Sequence, residues 1–317
     1  MDYFIVFVDI LMSAVNNSIG ERVFMKAIQV SSLTKNYNGK RAIENISFDV
    51  DKGEIIGFIG PNGAGKSTTI KAMLNFIYPT SGSCKIFGLD CEKESRKVKE
   101  LVGYVPSEVR FYNDMKVRDI LNYAESFYDD IDKDKVKNLC RRFEIEENKK
   151  MGELSLGNKK KVAIVQALIN SPKLIILDEP TNGLDPLVQN VLFEVLLEEK
   201  KNGTTIFLSS HNLTEVQNYC NRAVIIRDGN IVDIKDMSTI KAFSKKKVTI
   251  LTNENIERDI RILGGEKVKR IKNSINFSYN GNINTLIKLL ASYEIDDISI
   301  GEEELVDTFM NYYKGEE

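Results

Sequence analysis

Short apolar runs alternate with amphipathic stretches through the first 240 residues, a rhythm that predicts strands alternating with helices. Residues 55–59 (Ile-Ile-Gly-Phe-Ile) and 174–177 (Leu-Ile-Ile-Leu) are apolar throughout, as strands buried on both faces of a parallel sheet should be. Residues 204–209 read as another strand. Residues 223–227 and 230–234 read as a hairpin across Asp228-Gly229, and 27–37 pairs with 45–50 around a turn at Asn38-Gly39. A short strand is expected at 84–88. Helices are expected over 68–76, 189–200 and 212–220. Between 98 and 168 the chain becomes charged and helical: Val117, Ile120, Leu121 and Ala124 recur at helical spacing within 114–128, and 134–143 repeats the pattern.

After a lysine-rich linker at 245–247 the rhythm changes. Residues 248–251, 274–278 and 297–300 read as strands, and 257–263 and 283–293 as helices. Together they suggest a βαββαβ-like module of about 70 residues, closed by a helix at 303–313. The module holds no catalytic constellation, so regulation or assembly is its expected role.

Composition narrows the field. A chain of 317 residues exceeds one ordinary core and suggests about two domains. The net charge of −2, with both signs interspersed, gives no support for a nucleic-acid surface. Cys84, Cys91, Cys140 and Cys220 lack metal-ligand spacing and read as reduced thiols of a cytosolic protein. Tryptophan is absent and His211 is the one histidine.

Residues 1–24 stand apart as an N-terminal extension. The apolar stretch 3–15 is broken by Asp9, is too short to span a bilayer, and follows Asp2 where a signal peptide would be basic. The preferred reading makes Met25 the true initiator; the alternative is an amphipathic segment touching a membrane partner. No other run is long enough to suggest a membrane span.

The chemistry begins at residues 60–67, Gly-Pro-Asn-Gly-Ala-Gly-Lys-Ser, followed by Thr68. This is the G-x-x-x-x-G-K-[ST] phosphate-binding loop, in the strand–loop–helix context the motif requires. Gly60, Pro61, Asn62, Gly63, Ala64 and Gly65 let the backbone wrap a polyphosphate, with N–H groups of the loop and helix start aimed at the anion. Lys66 reaches the β- and γ-phosphates of ATP, and the Ser67 hydroxyl can ligate Mg²⁺. The fold class is therefore α/β: a P-loop NTPase core with an antiparallel β subdomain and a helical insertion, plus the small C-terminal α+β module.

The strand 174–177 closes on Asp178-Glu179. Alone, that is an ordinary strand end. Beside a phosphate loop, at the carboxyl edge of a parallel sheet, it places Asp178 to hold Mg²⁺, directly or through water, and Glu179 to polarise the water that attacks the γ-phosphate. About 20 residues earlier, Leu154-Ser155-Leu156-Gly157-Asn158 precedes three lysines and an apolar helix, with Ser155 as N-cap.

Taken in order, these motifs resemble the nucleotide-binding subunit of ATP-binding cassette (ABC) transporters, over residues 27 to about 235. The family signature is Leu-Ser-Gly-Gly-Gln; Ser155 and Gly157 match it, whereas Leu156 and Asn158 depart. The resemblance implies that Ser155, Gly157 and Asn158 form the segment that meets the γ-phosphate held by a partner subunit. It implies that Asp185, in Gly183-Leu184-Asp185, organises the dimer seam, and that His211 contacts the γ-phosphate and orients the water. It also implies that Tyr37 stacks on adenine. Where the family has a metal-reaching glutamine, after Gly103-Tyr104-Val105-Pro106, this chain has Ser107 and then Glu108; either Ser107 ligates through a water or Glu108 takes over. Residues 302–309 look like the terminal helix of cassettes serving ABC-2-type exporters.

The expectation is an ATP-hydrolysing subunit, dimeric with itself or a related cassette, with two ATP molecules and Mg²⁺ sandwiched between its copies. Glu179, His211 and Lys66 would carry the catalysis. It would drive a separate membrane permease, for export, from the cytoplasmic face of the cell membrane. The expected divisions are an ATPase domain at 25–236, its helical subdomain at about 100–168, and an accessory domain at 246–317. Two rivals are a soluble cassette protein acting on a partner such as the ribosome, and a module that senses ATP without hydrolysing it. The first usually carries two cassettes, a coiled coil or a zinc insertion, and the second would lack Lys66, Asp178, Glu179 or His211.

Overall fold

The computed structural model describes residues 26–239 and 246–302. The N-terminal extension and the closing helix expected at 303–313 lie outside them.

Two sheets form the first part. The strands β1 (Lys26–Tyr37), β2 (Lys40–Asp51), β4 (Ser81–Ile86) and β5 (Leu89–Asp90) make an antiparallel sheet of order β2-β1-β4-β5. Its β1–β2 turn is Asn38-Gly39, with φ of 47° and 81°, the left-handed pair that a two-residue hairpin turn demands. β2 begins at Lys40, five residues earlier than its apolar pattern suggests, because pairing with β1 carries the ladder to Tyr37↔Lys40.

The second sheet has six strands in the order β10-β9-β3-β8-β7-β6. They are β3 (Ile55–Ile59), β6 (Val102–Val105), β7 (Leu174–Asp178), β8 (Thr205–Ser210), β9 (Arg222–Arg227) and β10 (Asn230–Asp236). β6 to β9 and β3 run parallel; β10 returns antiparallel to β9. β6 falls inside the stretch read as helical. It is a short edge strand whose partner is β7, from Val102↔Leu174 to Val105↔Leu177.

The period-two alternation of strands divides the core in two. Ile55, Ile59, Ile175, Leu177, Ile206, Leu208 and Ile225 face one layer, with α5 (Leu156–Leu168), α6 (Pro186–Lys201) and α7 (Leu213–Tyr219). The insertion helices α3 (Val117–Glu125) and α4 (Lys133–Arg142) join that layer through Ile120, Leu121, Val136 and Leu139. Ile56, Phe58, Leu174, Ile176, Phe207 and Val224 face the other layer, with α1 (Lys66–Met73) and the antiparallel sheet. Phe48 from that sheet meets Phe58 and Phe207 at ring-centroid distances of 5.6 and 5.9 Å, knitting the two sheets together. The remaining helix of this part, α2 (Ser95–Leu101), leads directly into β6.

Residues 246–302 build a third sheet, β12-β13-β11-β14, from β11 (Lys246–Leu251), β12 (Glu266–Ile271), β13 (Ser274–Tyr279) and β14 (Asp297–Glu302). With α8 (Glu257–Ile262) and α9 (Ile283–Leu290) this is the βαββαβ arrangement. Its core, Val248, Ile250, Ile256, Ile260, Ile275, Phe277, Leu286 and Leu290, draws on no residue from the first part. All four cysteines are free and buried. Among the described residues no helix is long and apolar enough to cross a membrane.

Candidate functional site

The loop between β3 and α1 owes its shape to Gly65, at φ 108°, which forms the N-cap of α1. A Cβ there would sit 2.6 Å from Ile43 and 3.0 Å from the Ala42 carbonyl, so only glycine lets the loop press this close to β2. No side chain caps α1, and its first turn holds no acid. Its leading N–H groups are thus open to an anion. Lys66, 5% exposed, folds back over the loop and donates to the carbonyls of Gly60 at 2.6 Å and Pro61 at 3.2 Å.

Parity brings the carboxylates to this loop. Leu174 and Ile176 face the α1 layer, so Asp178, two residues on, ends β7 on the same side. It is 0% exposed, and neither carboxylate oxygen has a hydrogen-bond partner among the described residues. Its charge, after burial, helps hold the Tyr104 hydroxyl well above the usual tyrosine range. Glu179 breaks the strand at φ 50°, an unusual left-handed conformation for a side chain of its size. Its Oε1 lies 3.1 Å from the Lys66 amine and its Oε2 lies 2.5 Å from Nδ1 of His211. His211 follows β8 and is about half exposed.

Lys66 and Glu179 border a cavity of about 860 Å³, ample for a nucleotide, whereas Asp178 and His211 lie outside its lining. Tyr37, Asn62, Gly63, Gly65, Lys66, Ser67, Thr68, Ser107, Glu108 and Glu179 all line it. Tyr37 stands at its edge, 43% exposed, with Lys35 over the ring at 5.1 Å. Gly60 and Pro61 serve as acceptors for Lys66, and Ala64 is buried in the apolar layer beneath the loop. Lys40, Arg41, Ala42, Asn182, Asp228 and Gly229 complete the lining and had drawn no expectation. Lys40, Arg41 and Ala42 follow the Asn38-Gly39 turn, Asp228 and Gly229 form the other turn, and Asn182 lies three residues past Glu179; these positions are the one signal the sequence offered for them. Glu108 is paired outward with Arg110 at 3.0 Å, 79% exposed; the neighbouring Ser107 carries no such tether.

Ser155, Gly157, Asn158 and Asp185 are not part of this lining. Ser155 caps α5, its Oγ accepting from the Asn158 N–H at 3.3 Å. Asp185 caps α6, accepting from the N–H groups of Leu187 and Val188, with Pro186 at the first helical position. A Cβ on Gly157 would come 2.5 Å from the Gly183 carbonyl. Gly157 therefore lets the two segments lie together within one chain, a packing reason that the sequence did not reveal.

The arrangement joins a polyphosphate cradle, a buried carboxylate lacking a partner, and a Glu–His pair able to hold a water. Comparison with known proteins points the same way. A family described as ABC transporter matches residues 43–182. The Nod factor export ATP-binding protein I of Rhizobium etli is 34% identical over 67% of this chain and 69% of its own length. The bacitracin transport ATP-binding protein BcrA of Bacillus licheniformis is 29% identical over 91% of this chain and 97% of its own. A solved structure of an ATP-binding subunit of an ABC transporter is 32% identical, covers 68% of this chain and 92% of that one, and superposes with a TM-score of 0.63.

Proposed function

The chain belongs to the ATP-binding, ATP-hydrolysing subunits of ABC transporters, and on that premise we propose that it powers export through a separate membrane permease from the cytoplasmic face of the cell membrane. The reading of the site rests above all on Glu179, held between Lys66 and His211 at the rim of the phosphate loop. Export is supported by the Nod factor export relative, and an antibiotic-like cargo by the bacitracin transport relative, which matches nearly the whole chain. The proposed divisions are an ATPase domain over 25–236, its helical subdomain at about 100–168, and an accessory domain over 246–317.

In this reading the adenine stacks on Tyr37, and the N–H groups of residues 62–68 and the Lys66 amine hold the phosphates. Asp178 and Ser67 would hold Mg²⁺. The fit is chemical: the buried Asp178 carboxylate, with two unsatisfied oxygens, calls for a cation, and the Ser67 hydroxyl at the helix start lines the nucleotide cavity. When bound, the cation neutralises charge on the β- and γ-phosphoryl oxygens. Glu179 accepts a hydrogen bond from the attacking water, and His211 fixes that water's orientation while holding the glutamate. Two copies close head to tail over two nucleotides. Ser155 and Gly157 of one copy meet the γ-phosphate held by the other, and Asp185 sits at the seam.

The deciding measurement is phosphate release by the purified chain, and by its permease complex, with and without Lys66→Ala. Turnover should be lost in the variant, because the buried amine is the main cation facing the phosphates. A Lys66→Ala protein as active as the parent would overturn the assignment.

A further inference from the structure

Lys160 lies in a run of three lysines, yet it is 1% exposed. Its amine forms no ion pair among the described residues. Instead it crosses from α5 to the segment after β6 and donates to the carbonyls of Pro106 at 3.1 Å and Ser107 at 2.9 Å. Burial pulls its pKa down, and the fields of Asp178 and Glu179 push it back up, so both carboxylates lie close without touching it. An ammonium with three donors thus spends two on a single turn of backbone. That is a costly way to bridge two elements, since an apolar side chain would fill the space without losing hydration.

The two ends of the bridge matter. Ser107 lines the nucleotide cavity, and Lys160 stands five residues into the segment that begins at the Ser155 cap. We propose that Lys160 is a positioning residue for ATP hydrolysis: its two hydrogen bonds pin residues 106–108 at the cavity wall and tie their place to that of α5. This rests on the ATPase reading given above. Lys160 touches neither nucleotide nor water in this account; it acts through Ser107. Its neighbours in sequence do not share the role, for Lys159 stands partly open to solvent and neither it nor Lys161 reaches this backbone.

The test compares Lys160→Met, which keeps length and loses the donors, with Lys160→Gln, which keeps an amide donor. In Lys160→Met, kcat should fall by about tenfold or more, as misplacement of a cavity wall by even ~1 Å does. Affinity for ATP measured in EDTA should stay within about threefold, a loss in turnover without loss in ground-state binding. The melting temperature should hold or rise, since a buried charge has been removed. Hydrogen exchange should quicken in a peptide covering 103–112 and stay unchanged over 60–68, and Lys160→Gln should recover part of the rate. Lys160→Met turnover within about twofold of the parent would overturn the proposal. So would exchange raised throughout the chain together with lower melting and weaker binding, the pattern of a merely structural lysine. If the parent chain hydrolyses no ATP, the ATPase reading falls and takes this inference with it. A normally active parent beside an equally active Lys160→Met refutes the inference alone.

Discussion

The Lys66 amine and the Glu179 carboxylate face each other at 3.1 Å, both almost wholly buried. The cation of the phosphate loop thus lies in ion-pair contact with the base proposed to polarise water, although Oε1 receives no hydrogen bond, and His211 occupies the second carboxylate oxygen. In the proposed reading, a γ-phosphate entering the cavity would compete for Lys66 and leave Oε1 to a water, so that the nucleotide would be a condition for its own hydrolysis.

His211→Ala should leave nucleotide affinity within about twofold and cut turnover by roughly 100-fold, the scale of a lost proton-handling partner. The ring is about half exposed, so the fold should be indifferent to its removal. Fluorescent-nucleotide titration beside phosphate release separates the two quantities. Equal turnover in variant and parent would leave His211 with no role beyond its contact with Glu179.

Glu179 offers a test of backbone geometry. At φ 50°, a residue with a Cβ is held at a cost of about 1–2 kcal/mol that glycine avoids. Glu179→Gly should therefore be more stable than Glu179→Ala by about 1 kcal/mol, the reverse of the usual order in regular structure. Both remove the same carboxylate, so the difference in urea midpoint isolates the main chain. An alanine variant as stable as the glycine variant would show that the turn relaxes freely.

The composite site can be probed without disturbing packing. Glu179→Gln should trap ATP and yield an ATP-dependent dimer by size exclusion, absent with ADP. Gly157 is a poor place to break that dimer, because any side chain there meets the Gly183 carbonyl of its own chain. Ser155→Asp is better: aspartate caps a helix as well as serine does, yet sets a negative charge where the partner's γ-phosphate should lie. The double variant should keep its melting temperature and stay monomeric with ATP. Dimerisation regardless would remove residues 154–158 from the trans site.

Removal of residues 246–317 should spare nucleotide binding and the melting of the remainder. None of Val248, Ile250, Phe277 or Leu286 enters the two cores around the six-stranded sheet. Circular dichroism and nucleotide titration of the shortened chain decide it. A folded product unable to bind nucleotide would show that the phosphate site depends on the C-terminal sheet.

What could be read from sequence follows how local each determinant is. β3 and β7 announce themselves because strands buried on both faces leave unbroken apolar runs, and the phosphate loop is contiguous. β6 was missed because Val-Gly-Tyr-Val is short and flanked by charged helical text; only pairing with β7, some 70 residues on, makes it a strand. Lys160 was illegible for a similar reason. In the chain it is the middle of a basic run, normally a solvated face, and its burial arises from a backbone segment 53 residues away. Lys40 and Arg41 became cavity residues only when β2 began five residues earlier than its apolar pattern suggests.

Folding carries the Asp178 carboxylate out of reach of water and of every donor among the described residues. The chain alone bears that penalty, and, in the proposed reading of the cation site, ATP with its cation would relieve it, so that occupancy would support the fold by an amount that grows with the logarithm of nucleotide concentration. In a living cell this would link the subunit's lifetime to its fuel: with less ATP, opened molecules would become more frequent and be the first exposed to proteolysis. A starved cell would then shed its pumps before it spent scarce nucleotide on driving them.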